Sequence, residues 1–480
     1  MPRSPSPQAR SRPKGTAEHR GSVSGRTAKP SQRERLLEAM ARVVEREGYA
    51  ATSVAKVITR AGVGRVTFYD EFANKEECFL ASYDGMAQRI LEQVRHAAHA
   101  EERQAAPRTA LNGLLKTLEA EPQAGWGMLF EPIGGGPELR ARSRRQVIEI
   151  SGALERFLGE ASPEGPRLEV PALALIGGVR QVIARRLRRV EYDILPTLTD
   201  DLLTWVDSYA LAAGDAPRAA FLKNGSFQQS KKERSPADER APARTAIAPA
   251  GASQAAAAQR LPRGRRKQHE SFVNRQLRER ILGATAEVAL LKGYTEMTVA
   301  DIVACAGIGR DVFYVHFRDK QDAFLAAQQH NLQDHMTACV ASFFAGPTWP
   351  ERVWNGLKTA MEIIANDPAL AHLWLVESFS AGPLAVQHTE EMMVICTLYL
   401  QEGYHYRAEA THLPQLCSEA IVGAIYETLY HEVDEGRGAR VGELLPELAY
   451  SAIAPFTGVQ QAAELIDGYM SARGDDSSGP

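Results

Sequence analysis

Apolar positions recur at three- and four-residue spacing through most of the chain, the period of a helix with one buried face. Leu36, Leu37, Met40, Val43 and Val44 form one such stripe, and Ile281, Leu282, Thr285 and Val288 form another far downstream. Gly48 and Gly293 follow the last periodic residue of each stripe, where a left-handed cap favours a residue without a Cβ. Ser53-Val-Ala-Lys56 and Thr298-Val-Ala-Asp301 then open a second helix. The latter reads as a capping box, whereas the former sets a lysine where an acid would help. No segment alternates convincingly with period two, so the pattern predicts an all-α chain.

The two stripes are copies. Sliding residues 34–81 by 245 places onto 279–326 needs no gap and leaves 21 of 48 positions identical. The echo continues faintly at an offset of 246, with Glu131 and Pro137 against Glu377 and Pro383, and Leu198 and Leu202 against Leu444 and Leu448. A whole unit is therefore duplicated.

Within each copy a short helix leads to Ala61-Gly62-Val63-Gly64 or Ala306-Gly307-Ile308-Gly309, followed by about eight helical residues. This is the pattern of a helix-turn-helix. Gly62 and Gly307 supply the positive φ of the turn, and Val63 and Ile308 an apolar residue behind it. Asn74 and Asp319 can cap a further helix, with Glu77 and Asp322 three residues on.

Gly48-Tyr49, the Ala-Gly-Val turn, Phe68-Tyr69-Asp70-Glu71-Phe72-Ala-Asn-Lys75 and Phe313-Tyr314-Val315-His316-Phe317-Arg-Asp-Lys320 together resemble the N-terminal signature of TetR-type transcriptional regulators. The resemblance covers about 50 residues of each half and implies two TetR-like units in one chain. Each would have a three-helix DNA-binding domain and then a larger helical domain that binds a small molecule and dimerises. The expected division is a basic arm at 1–33, DNA-binding domains at 34–82 and 274–328, and helical domains at 83–213 and 329–471. A linker at 214–273 and a tail at 472–480 complete it.

Carried over position by position, the resemblance makes Arg65 and Arg310 guanine-reading residues at the start of the recognition helices, with Thr67 and Val312 as the next base-facing pair. Tyr69, Tyr314, Lys75 and Lys320 resemble the family's phosphate contacts, and Ser53 and Thr298 would add hydroxyls to the backbone. Phe68, Phe72, Phe313 and Phe317 are core by spacing. The second copy keeps the family's His316, whereas the first has Glu71 after Asp70, carboxylates that oppose phosphates unless one accepts from cytosine N4 or pairs with Arg65, and Asp311 is a milder instance in the second copy. The second module is thus expected to bind DNA more strongly, on an operator that is pseudo-palindromic or asymmetric.

Charge distribution adds to this picture. Residues 1–33 hold eight Lys/Arg against Glu18 alone, and residues 214–273 hold twelve against five acids. The remaining residues carry 36 basic against 53 acidic side chains. Arg263 and Arg265, in Pro262-Arg263-Gly264-Arg265, resemble a minor-groove hook. The first arm is more dispersed, with Arg10, Arg12, Lys14, Arg20, Arg26 and Lys29. Five scattered cysteines read as small buried hydrophobes, and no spacing suggests a metal or a cofactor. No apolar run suits a membrane span or secretory signal, which points to a cytoplasmic, nucleoid-associated protein. No nucleophile stands with a base, so no enzyme activity is expected.

The helical domains are less legible. Trp126, Met128 and Phe130, with Trp354, Met361, Trp374 and Phe379, are mostly core by spacing, and no ligand residue is named. Arg180, Arg185, Arg186, Arg188 and Arg189 read as a solvated face balanced by Asp193, Asp200 and Asp201. Gly177-Gly178 and Gly423 permit close helix approach, within one body or between bodies. The expected function is a ligand-responsive repressor acting on double-stranded DNA, released by a small apolar effector and built as an intramolecular pseudo-dimer or a homodimer. The alternative is a helical ligand-binding or scaffold protein that has lost DNA binding in one or both modules.

Overall fold

A computed structural model describes residues 30–98, 106–120, 122, 137–161, 167–168, 170–211, 266–330 and 332–476. Residues 1–29 of the basic N-terminal arm, Arg263, Arg265, the glycine run at 134–136, Trp126, Met128 and Phe130 lie outside the described residues, and α1 begins inside the segment read as the arm.

The first unit opens with α1 (Gln32–Ala51), α2 (Val54–Ala61), α3 (Arg65–Glu71) and α4 (Lys75–Ala98). It continues with α5 (Ala106–Ala120), α6 (Pro137–Ala161), α7 (Ala172–Arg188) and α8 (Thr199–Asp207). The second opens with α9 (Arg266–Glu296), α10 (Val299–Ala306), α11 (Arg310–His316) and α12 (Lys320–Gln329). Its body comprises α13 (Leu332–Ala345), α14 (Trp349–Asn366), α15 (Pro368–Leu375), α16 (Pro383–Leu398), α17 (Leu416–Asp434), α18 (Leu445–Thr457) and α19 (Val459–Asp476). Helix α9 begins inside the segment read as linker, and α19 runs past residue 471.

The strands among the described residues are β1 (Arg167–Leu168) and β2 (Ala210–Leu211), an antiparallel pair that ties the entry of α7 to the end of the first unit. Two residues are too few to show the alternation that marks a strand in sequence.

Cores separate heads from bodies. Leu36, Met40, Val57, Phe68, Phe72 and Phe79 close around one another in the first head, with Leu139 of α6 inserted among them. The second head repeats this with Ile281, Ile302, Phe313 and Phe324, and Leu373, Trp374 and Ala385 come from its body. The two bodies instead share one core, in which Val182, Leu187, Trp205 and Tyr209 of the first unit lie with Cys417, Ile421, Tyr450 and Ile453 of the second.

Helices α7 and α17 cross where glycine removes the side chain from both. A Cβ on Gly177 would lie 2.4 Å from the Cβ of Glu427, and one on Gly423 would lie 2.4 Å from the Cβ of Gln181. These contacts are mates under the sequence offset of 246, so the units meet about a pseudo-two-fold axis. Tyr209 adds a buried bond, its hydroxyl donating to the Ser451 carbonyl at 2.8 Å.

The arginines of α7 depart from expectation. Rather than forming a solvated face, Arg180 pairs with Glu427 at 2.9 Å, and Arg185 and Arg186 reach Glu419 at 3.3 and 3.1 Å. Arg188 pairs with Glu390. Of the acids expected to balance them, Asp200 pairs with Arg108 instead. Burial pushes the Glu427 carboxyl up, but Arg180 and His431 outweigh it and hold the group below the ordinary carboxylate range.

Candidate nucleic-acid interface

Each reading head is set by three local devices that recur at matching positions. The first is the kink after the first helix, where Gly48 has φ +77° and Gly293 φ +75°. The second is the turn, with Gly62 at φ +63° and Gly307 at φ +61° capping α2 and α10. Arg35 donates to the Ala61 carbonyl at 3.3 Å, and Arg280 to that of Ala306 at 2.5 Å, so an arginine from the first helix closes each turn. The third is the cap of the following helix, where Asn74 and Asp319 each accept a backbone N–H at 2.8 Å.

The recognition helices α3 and α11 bury Phe68 and Phe313 completely and present the rest to solvent. Arg65 and Arg310 are exposed, each guanidinium over the tyrosine one turn on, at 5.9 Å from Tyr69 and 5.8 Å from Tyr314. Both tyrosines are 48% exposed. Thr67, Val312 and His316 are half-buried on the same short helices. Arg65, Thr67 and Tyr69 thus sit together on one helix, as do Arg310, Val312, Tyr314 and His316 on the other.

Ser53 and Thr298 stand at the N-termini of α2 and α10, where their hydroxyls accept from the Lys56 amide at 3.4 Å and the Asp301 amide at 3.2 Å. Lys75 and Lys320 turn toward the kink. Lys75 Nζ donates to the Tyr49 carbonyl at 2.9 Å, and Lys320 Nζ to Tyr294, Thr295 and Met297 carbonyls at 2.9, 3.3 and 3.1 Å. An ammonium has three donors, so Lys320 meets a phosphate only by giving up a carbonyl. Partial burial holds the Lys320 pKa below its ordinary value.

The acids of the first head are placed unequally. Glu71 lies 3.7 Å from Arg33 of α1, not against Arg65, while Asp70 is exposed. Two residues escape the sequence reading: Val66 and Val315 are 75% and 76% exposed on the recognition helices. An apolar residue on a helix otherwise solvated is the signal, and a thymine methyl is the base group that suits it.

Beneath the second head lies a junction drawing on both units. Glu377, fully buried, accepts the Tyr294 backbone N–H at 2.8 Å and lies 3.2 Å from Arg140 of α6 and 3.3 Å from His372. Arg140 also lies 3.4 Å from Asp434. Burial pushes Glu377 up, while His372, Arg140 and the Tyr294 amide hold it below the usual carboxylate range. Arg140 follows Leu139, which is packed in the first head's core, so one stretch of α6 enters the first head and reaches the second through Glu377.

The second body encloses a cavity of about 290 Å³ lined by Met336, Cys339, Leu357, Trp374, Met393 and Leu429 among others, with no lysine or arginine among the described residues of its wall. Trp374 belongs to the second head's core as well. Trp354 and Met361 are buried in the shared core, as their spacing predicts. Among the described residues no His/Cys/Asp/Glu group is arranged to hold a metal, and no helix is long and apolar enough to cross a membrane.

The family description "Bacterial regulatory proteins, tetR family" matches the chain twice, at residues 36–82 and 281–327. Among solved structures, the fatty acid degradation regulator FadR from Bacillus halodurans is 20% identical, with a TM-score of 0.35, over 37% of this chain and 96% of that one. FadR from Bacillus subtilis, solved in complex with stearoyl-CoA, is 19% identical with a TM-score of 0.29, over 36% and 96%. The regulator PfmR from Thermus thermophilus is 19% identical with a TM-score of 0.31, over 36% and 97%. No curated protein matches. The chain therefore carries two tetR-family domains, each opening a helical unit.

Proposed function

We propose that the protein is a sequence-specific DNA-binding repressor that reads one duplex with two unlike helix-turn-helix heads and is released by a small apolar effector. The observation that carries this reading is the duplicated recognition helix, which anchors itself by one buried phenylalanine and exposes an arginine and a tyrosine one turn apart. Arg65 and Arg310 take guanine edges, Thr67, Val312, Val66 and Val315 the neighbouring bases, and Tyr69, Tyr314 and His316 the phosphate flank. Ser53 and Thr298 join the phosphate contacts from the helix N-termini, and Lys75 and Lys320 join them from the kink, Lys320 by exchanging one of its carbonyls for a phosphate oxygen. Arg263 and Arg265 add minor-groove affinity that falls with salt.

The effector enters the cavity of the second body, whose wall suits a neutral apolar molecule or aliphatic tail. Helix α15 lines that cavity through Leu370, Ala371 and Trp374, and leads to Glu377. A ligand that moves α15 therefore acts on the second head through Trp374 and the Tyr294 amide, and on α6 through Arg140. The two halves of one chain act as an intramolecular pseudo-dimer.

A gel shift with the DNA upstream of the protein's own gene, run at several salt concentrations, tests the reading. A shift that weakens with salt and with Arg310→Ala is expected. Absence of any shift at low salt contradicts it.

A further inference from the structure

We propose that the α7–α17 face is charge-coded, so that each half of the chain rejects a copy of itself and accepts only the other half as its partner. Shape at the central crossing does not make this choice. Gly177 meets Glu427 as Gly423 meets Gln181, and a glycine stands there in both units, so that crossing admits like halves.

Charge makes the choice instead. Among the described residues, Arg140, Arg144, Arg180, Arg185, Arg186 and Arg188 of the first unit pair with Glu377, Glu390, Glu419, Glu427, Asp434 and Glu435 of the second, and no ion pair runs the other way. The pairs Arg188–Glu390 and Arg144–Asp434 are the informative ones. At the offset of 246, Arg188 corresponds to Asp434 and Arg144 to Glu390, so the two bridges are mates under the pseudo-two-fold axis. A pair of first halves would set Arg188 against Arg144 twice, and a pair of second halves would set Asp434 against Glu390 twice.

The flanking positions agree. Between first halves Arg180 would face Gln181, and between second halves Glu427 would face Tyr426, each leaving a charge without its partner. These groups are largely withdrawn from water, where an unpaired charge weighs most against association. The occupant of the face is the second half of the same chain. Both halves belong to one polypeptide, so their encounter is intramolecular and is favoured over one with another molecule.

A chain with a protease site placed within residues 235–250 is cut after purification, and its fragments are followed by native mass spectrometry through dilution and reconcentration. One-to-one pairs of unlike halves are expected. Pairs of like halves in the unsubstituted cut chain overturn the proposal, and this arm needs no variant to fold. Glu419→Arg with Glu427→Arg should weaken pairing by roughly 100-fold or more. Adding Arg180→Glu and Arg186→Glu should then recover at least about tenfold, as a restored charge pattern requires. A four-fold variant no tighter than the two-fold one overturns the proposal, because a purely steric interface gains nothing from the exchange.

Discussion

The two reading heads have kept one geometry, whereas the two bodies have moved apart in charge. Across 245 residues of separation the kink glycines agree within 2° in φ, since Gly48 stands at +77° and Gly293 at +75°. Lys75 and Lys320 reach the equivalent carbonyl at the same 2.9 Å. Where a scaffold contact changed, it changed in compensation: Lys56 pairs with Glu47 in the first head, and Asp301 with Lys292 in the second, the same bridge with its signs exchanged. What diverged freely are the side chains facing outward, with Thr67, Asp70 and Glu71 in place of Val312, Val315 and His316. In the bodies the opposite holds. There the divergence is buried between the halves, and it turned a symmetric face into a basic and an acidic one. The heads thus differ in outward side chains and in compensated pairs on a kept frame, while the bodies differ where they face each other.

The largest expected effect lies where heads and bodies join. Glu377→Ala leaves Arg140 buried without one of its carboxylates and removes the acceptor of the Tyr294 amide. A loss of about 3–5 kcal/mol in unfolding free energy is expected, read by denaturant titration. A loss within about 0.5 kcal/mol, the range of surface sites, would break the claim that this junction couples the units.

A smaller effect separates the heads. Arg310→Ala should weaken specific DNA binding by about 1–3 kcal/mol, and Arg65→Ala by less, because the first recognition helix carries Asp70 and Glu71 where the second carries Val315 and His316, against Asp311 alone in the second. Binding isotherms on one operator fragment measure both. Equal losses would show the heads to be equivalent and remove the asymmetry proposed for the operator.

The smallest effect contrasts Glu447 with its first-unit counterpart Asp201, which is exposed. Burial, followed by nearby Glu432, pushes the Glu447 carboxyl up to about 7. Its folded value lies above the unfolded one, so its contribution is full below about 4.5 and is lost as pH rises to about 7. Glu447→Gln should flatten stability across that window and gain on the order of 1–3 kcal/mol at pH 8. A pH profile of stability that Glu447→Gln leaves unaltered would contradict the burial of Glu447.

The heads are legible in the sequence because their devices are local. A glycine after a periodic stripe, a hydroxyl three residues before an acid and a phenylalanine at helical spacing each act within one or two turns, and Gly62, Thr298 and Phe313 adopt the conformations their neighbours dictate. The inward turn of Lys75 and Lys320 is not legible, since their carbonyl partners lie more than 20 residues upstream. Arg180 and Arg186 mislead for the same reason. Their partners lie more than 230 residues away, and a basic helix with acids nearby in sequence has the pattern of a solvated surface. The cavity is half legible: Trp374 lines it, but Trp354 and Met361 have the same spacing and are core.

The central claim is that one chain lays two unlike heads on one duplex. Selection of sites from random double-stranded DNA by the full chain, with footprinting at base resolution, tests it most directly. The account predicts two half-sites of different sequence, one helical turn of about 10–10.5 base pairs or a multiple of it apart, with the stronger protection over the half-site lost in Arg310→Ala. Two identical half-sites, or no enriched sequence at all, would contradict it.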